Sequence, residues 1–273
     1  MKKVLSYLLL LLLILVPNGH AQEEDLEFSL KPYLWLPSID GSLKYTTLPS
    51  GSSGSPQISA GPDAIFKNFD FGVIMASELR KGKWSIFSDF IYLKLSAEST
   101  TVDAINFGGT IVSAGVDTGS EAEFQQFLTT AVVGYEIINN EDFNMDIIAG
   151  LRYLWIEAEL KWSLAATITG PLGGGQTFAR TGQFKEDVEV WNGVGGVRGR
   201  INLGDSDWYI PYYADVGAGD SDLTWQLFTA LGYSFDKWDV GLGYRHLVFE
   251  AGGDSIIDNI SMSGPILGAS YNF

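Results

Sequence analysis

Ile266-Leu267-Gly268-Ala269-Ser270-Tyr271-Asn272-Phe273 closes the chain, and its reading decides the fold. In an extended strand, residues two apart share a face. Leu267, Ala269, Tyr271 and Phe273 then point one way, and Gly268, Ser270 and Asn272 the other. One face is apolar with aromatics at its end, and the other is small or polar. Such a strand makes a poor edge in water. It suits a barrel wall with hydrocarbon outside and a filled or watery lumen inside.

The same stretch resembles the carboxy-terminal assembly signal that outer-membrane barrels present to their insertion machinery, carried here by Ile266, Gly268, Tyr271 and Phe273. The other end of the chain agrees. Met1-Lys2-Lys3 precedes an apolar run from Val4 to Val16, and small residues stand at Gly19 and Ala21. This pattern predicts a secretory signal peptide over 1–21, cut after Ala21, with a barrel domain over 22–273. The apolar run falls short of the ~20 residues that a spanning helix needs, and no later run is longer.

Composition narrows the class. The 273 residues include no cysteine, so disulfides, thiol chemistry and cysteine zinc sites are excluded. A formal charge of −16 argues against nucleic acid, which needs a basic footprint. Loss of Lys2 and Lys3 makes the mature chain more acidic still. Glycine (32 residues) and aromatics (13%) are plentiful while Lys and Arg are few, as a membrane barrel requires and a soluble domain does not.

Ten alternating segments follow in order: Glu27–Tyr45, Ile65–Arg80, Trp84–Leu95, Glu121–Ile138, Phe143–Trp162, Phe184–Leu203, Trp208–Gly217, Leu223–Phe235, Trp238–Phe249 and Asp258–Phe273. In the first, Pro37 and Gly41 predict a kink or bulge, with a hairpin at Ser38–Gly41 as the competing reading. Thr46–Asp63, Ser96–Ser120 and Ser163–Gly182 read as long loops, the second with strand extensions that rise above the membrane as an alternative, whereas Lys81-Gly82, Asn139–Asp142, Gly204–Asp207 and Asp236-Lys237 read as tight turns. Trp84, Trp208, Trp238 and Phe143 each follow a short turn, which predicts an aromatic row at one membrane interface. The expectation is an all-β, antiparallel, up-and-down transmembrane barrel of ten strands, with eight or twelve as alternatives. Its bore is narrow, because an open porin channel takes ~16 strands.

Pro32-Tyr33-Leu34-Trp35-Leu36-Pro37-Ser38-Ile39-Asp40-Gly41 resembles the opening motif of a family of predicted bacterial outer-membrane barrels of unknown function. Similar stretches are Lys81-Gly82-Lys83-Trp84 through Leu95, Ala149–Tyr153, Asp222–Gln226, Gly243-Tyr244-Arg245 and Ser261–Pro265. The resemblance spans most of the mature chain. It implies fold and location, and no catalytic residue.

Strand alternation places Lys31, Glu78, Arg80, Asp89, Asp146, Arg152, Asp215, Asp239 and Arg245 in the lumen. Mixed charges inside a low-dielectric wall must pair, so a structural ion-pair network is expected, with a polar track for a small solute as the alternative. His246 is the sole histidine after the leader. One histidine makes no multi-histidine metal site, and its use in a Ser–His or His–Asp hydrolase pair has no local motif behind it. No Walker loop, GxSxG or HExxH occurs. The expected protein is therefore no enzyme and carries no cofactor or metal. Its expected partners are outer-membrane lipid, lipopolysaccharide and the assembly machinery, with a small solute as a further candidate.

Overall fold

In the computed structural model, residues 26–43, 57–99, 116–169, 175–250 and 257–273 are described. The leader with its cut at Ala21, the loop residues around Gly252-Gly253 and parts of the other long loops lie outside them. Twelve strands and one short helix follow in chain order: β1 Leu26–Trp35, β2 Ser38–Leu43, β3 Gln57–Ala60, α1 Pro62–Lys67, β4 Phe69–Lys81, β5 Trp84–Ser99, β6 Val116–Asn139, β7 Phe143–Thr169, β8 Gly175–Asn202, β9 Trp208–Gly219, β10 Leu223–Phe235, β11 Trp238–Glu250 and β12 Ile257–Asn272.

Ten of these close a barrel. Sequential antiparallel pairing runs from β4 to β12, and β1 joins both β4 and β12. The seam pairs Ser29 with Asn272 and Trp35 with Ile266, and the Phe273 N–H donates to the Phe28 carbonyl at 2.9 Å. The closing strand thus meets the opening one, so the wall has no edge at this level.

β2 and β3 are additions to this wall. The regular strand lapses at Leu36-Pro37 and resumes as β2, which pairs with the outer half of β12 in the register of β1. No hairpin forms at Ser38–Gly41, and the register to β12 does not shift across Pro37 or Gly41, so the sheet has no bulge there. Two loop expectations are corrected. Thr46–Asp63 contains β3 and the start of α1, so β4 begins at Phe69 rather than Ile65. Strand structure also claims 163–169 and 175–182 of Ser163–Gly182, and it extends into both ends of Ser96–Ser120 as the strand extensions expected there, because β6, β7 and β8 run 24, 27 and 28 residues. Polar strands that rise beyond an apolar belt keep their ladder but lose the hydrophobic alternation that marks a strand in sequence.

The apolar face looks outward. Leu242, Leu267, Leu151 and Val216 are 63%, 59%, 56% and 56% exposed, although they lie in the middle of strands. Aromatic rings bound this belt on both sides. Near the short turns, Trp84 meets Tyr135, Phe143 stacks on Tyr212, Trp208 meets Tyr233 and Trp238 meets Tyr271. Toward the long extensions, Phe90, Phe127, Tyr153 and Trp191 form a second row.

Candidate functional site in the lumen

Inward side chains fall into alternating polar and apolar layers. Nearest the short turns, Glu78 receives Lys31 at 2.8 Å, Arg198 at 2.5 Å and Arg80 at 3.4 Å. Arg80 also pairs with Asp146 and reaches Glu136 at 3.4 Å. Beside this cluster, the Arg200 guanidinium lies 3.6 Å from the Tyr209 ring centre and donates to Asn202 and Ser234. Ser234 and Asn272 in turn donate to Asp239.

An apolar belt comes next, built from Val132, Ile148, Val194 and Tyr213, with Phe87 and Phe228 packed against it. The second polar layer holds two arginines. Arg152 pairs with Asp215 and donates to Thr130 at 3.2 Å and Thr224 at 3.0 Å. Arg245 donates to Asp89 at 2.7 Å and to Tyr33 at 3.0 Å. Gln226 accepts from both, at 2.6 Å from Arg245 and 3.5 Å from Arg152, and so joins the two pairs. Tyr213 and Tyr33 donate to Asp215 and Asp89. Each buried charge thus has an opposite charge and neutral hydrogen-bond partners, as a low-dielectric site demands.

Above this layer the bore is stoppered. Trp35, Ile91, Leu128, Leu154, Val190, Leu247, Phe249, Met262 and Ile266 form one buried apolar cluster. The Arg245 guanidinium lies 4.7 Å from the Trp35 ring centre, which couples the stopper to the polar layer. The expectation of a charge-filled lumen is therefore corrected: charges occupy two layers, and apolar side chains occupy the other two. The physical reason is supply. A narrow bore has room for a charge only where an opposite one can reach it, and hydrocarbon fills the rest at no desolvation cost.

The nine expected lumen charges divide among these layers. Lys31, Glu78, Arg80 and Asp146 share the first cluster, and Asp89, Arg152, Asp215 and Arg245 the second. Asp239 sits below both, held by Ser234 and Asn272. Sequence reasoning missed Arg198, Arg200 and Glu136. Glycine at 193, 195, 196 and 199 hides the alternation of β8, although Arg198 and Arg200 share the parity of buried Asn192 and Val194.

His246 lies on the other face. It shares outward parity with Leu242 and Tyr244, its Nδ1 meets the Ser263 Oγ, and its ring centre is 4.7 Å from Trp225. Among the described residues no group of His, Cys, Asp and Glu has the arrangement of a metal site. Outside the bore, β5 to β8 rise as a ribbon whose outward face bears Glu157, Glu159, Glu123, Asp187 and Glu189. Lys185 pairs there with Glu157 at 2.7 Å, and Lys94 bridges Asp70 and Glu123 at 3.3 Å each. The hydrogen bond to Glu157 holds the Lys185 ammonium above its ordinary pKa.

No family model matches the chain, and no curated protein does either. Among solved structures, the outer-membrane protease OmpT of Escherichia coli is 10% identical, with 94% of this chain and 99% of that one covered at a TM-score of 0.38. Ail, the attachment invasion locus protein of Yersinia pestis, solved with a heparin analogue, is 11% identical over 92% and 99%, with a TM-score of 0.33. The translocator domain of the autotransporter NalP from Neisseria meningitidis is 12% identical over 99% and 96%, with a TM-score of 0.35. Similarity this low transfers nothing to the chain, whose fold stands on its own strand pairing.

Proposed function

We propose that this chain is an integral barrel of a bacterial outer membrane, shut along its axis, with a structural or surface-contact role. The observation that carries the reading is the filled bore. Arg152 and Asp215 are wholly buried between two apolar layers, while leucines and valines of the same strands face outward. A wall that is dry outside and paired inside suits hydrocarbon, with the two aromatic rows at the headgroup levels. Short turns then lie in the periplasm and the β6–β8 ribbon at the cell surface.

In this reading the outward belt contacts lipid, and the acidic ribbon stands at the height of lipopolysaccharide headgroups. Ile266, Gly268, Tyr271 and Phe273 serve the assembly machinery. In the same reading the protein is no hydrolase, since the His246–Ser263 contact lies on the lipid-facing side of β11 and β12. Purified protein in planar bilayers tests the closed bore. A silent membrane supports it, and reproducible single-channel steps overturn it in favour of solute passage. Cell fractionation tests location, since recovery in the soluble pool would end the membrane reading.

A further inference from the structure

The wall is not sealed along its whole height. β1 and β4 pair from Leu26 with Lys81 up to Pro32 with Met75, and there the ladder stops. Both strands continue. β1 reaches Trp35 with β12 as its partner, and Phe69–Ile74 of β4 pair with β5. β2 then pairs with β12 and β3, and no ladder or backbone hydrogen bond among the described residues joins β2 or β3 to β4. The wall is therefore unzipped between β1 and β4 from Met75 outward.

Leu36 N–H donates to the Pro265 carbonyl of β12 at 3.1 Å, so the neighbouring odd positions turn their amides toward β4. Pro37, the next odd position, has no N–H with which to resume the ladder. β2 continues along β12 in the register of β1, since Trp35 pairs with Ile266 and Ser38 with Ser263, and β3 takes the side of β2 away from β12. α1 links β3 to the head of β4 beside the break, with Ile65 buried and Phe66 exposed.

The chemistry of the break is apolar on both sides. Its outer rim holds Leu34, Phe69, Phe71 and Val73, all exposed. Directly inside, Ile74 and Ile39 pack against the stopper of Trp35, Ile91 and Met262. Apolar side chains thus stand on both sides of the unpaired backbone here. One polar atom is unmatched: Trp35 is 4% exposed, and its Nε1–H is buried without an acceptor. A buried donor left open costs about 1–3 kcal/mol, so an acceptor brought by a ligand would be favoured.

We propose that this break is a lateral portal, through which one acyl chain of an outer-leaflet lipid ester enters the apolar layer of the lumen. The inference rests on the membrane reading above. The chain satisfies the apolar walls, and its ester carbonyl accepts from Trp35 Nε1. The break begins at Met75, whose β5 partner Phe90 belongs to the outer aromatic row, the depth at which lipid esters lie. Axial closure and lateral entry are compatible, because Arg152, Arg245 and their partners block the bore below.

Absence of native cysteine allows single labelling sites. Ile74→Cys, Ile148→Cys and Leu242→Cys are each labelled with a small bimane, reconstituted in vesicles and exposed to phosphatidylcholine brominated along its acyl chains. Leu242 faces outward, Ile148 faces the lumen behind zipped wall, and Ile74 lies behind the break. The expected result is loss of Ile74 emission to the Leu242 level while Ile148 keeps its signal. Equal protection of Ile74 and Ile148 overturns the portal and leaves the membrane reading intact. Protection of Leu242 overturns the membrane reading and the portal with it. Quenching of Ile74 by brominated fatty acid but not by bromolipid overturns the choice of a membrane lipid. A label-free check oxidises Leu34→Cys/Val73→Cys beside Leu30→Cys/Ser77→Cys, whose positions pair in the zipped wall. The zipped pair forms a disulfide, and equally ready bridging of the Leu34/Val73 pair overturns the portal.

Discussion

Arg152 and Asp215 lie 63 residues apart in sequence, on β7 and β9, and form an ion pair with both side chains fully buried. They meet across β8, where Arg152 stands opposite Asn192 and Asp215 opposite Gly196, which has no side chain. The pair depends on three strands having the right register. Removing one member leaves a bare charge in a dry bore. Asp215→Ala is expected to cost about 3–5 kcal/mol of stability, and the double change to Arg152→Met with Asp215→Leu less than that. Urea titration in vesicles, followed by tryptophan emission, reads both. Equal losses would mean that burial, not pairing, sets the cost.

The outward belt makes a second claim that depth can test. Leu242→Arg, at the middle of β11, is expected to cost about 2–4 kcal/mol, and Trp238→Arg at its aromatic end about 0–1 kcal/mol. Folding free energies in phospholipid vesicles give the comparison. A flat profile along β11 would show that no hydrocarbon slab surrounds it.

The turn Asp236-Lys237 stores strain. Asp236 has φ of 56°, a left-handed conformation that side chains with a Cβ resist, whereas Gly82 and Gly204 fill the same region at their turns. Asp236→Gly is expected to stabilise the β10–β11 hairpin by up to about 1 kcal/mol. A higher urea midpoint with an unchanged slope is the signature.

The seam supplies a fourth test. Phe273 bonds Phe28 through its N–H, and its ring lies 5.3 Å from that of Phe28 and 4.7 Å from that of Tyr271. Phe273→Ala keeps the backbone bond and removes the rings' contact. The folded fraction, read as heat-modifiable mobility on gels, is expected to fall in cells and to fall less in purified vesicles. An equal fall in both would assign the ring to seam packing alone.

How much of this was legible beforehand varied with the local pattern. β10 read cleanly, since Leu223, Trp225, Leu227, Leu231 and Tyr233 alternate with small or polar residues. β8 read poorly, because its glycines leave neither face marked. α1 was missed, because its first residues close a Ser-, Gly- and Pro-rich stretch and the rest read as the start of the next strand. The stopper was hidden for another reason. Leu128, Leu154 and Leu247 are apolar on the inward face, so alternation alone makes them look like errors in the pattern. Which charges meet depends on strand stagger, and single strands do not encode stagger. The β1–β4 break was not visible, because where a ladder stops is a property of several strands together.

The height of the barrel is uneven. β6, β7 and β8 tower over one side, while β9 and β10 turn back at Gly219–Leu223. A molecule free to spin about its own axis in a membrane therefore still has a front and a back. Whatever leans on the ribbon finds the barrel behind it, and neighbours on the side of β9 and β10 meet strands that turn back at Gly219–Leu223. Crowded together, such molecules would have a preferred way to stand beside one another, set by this lopsided skyline rather than by any single contact.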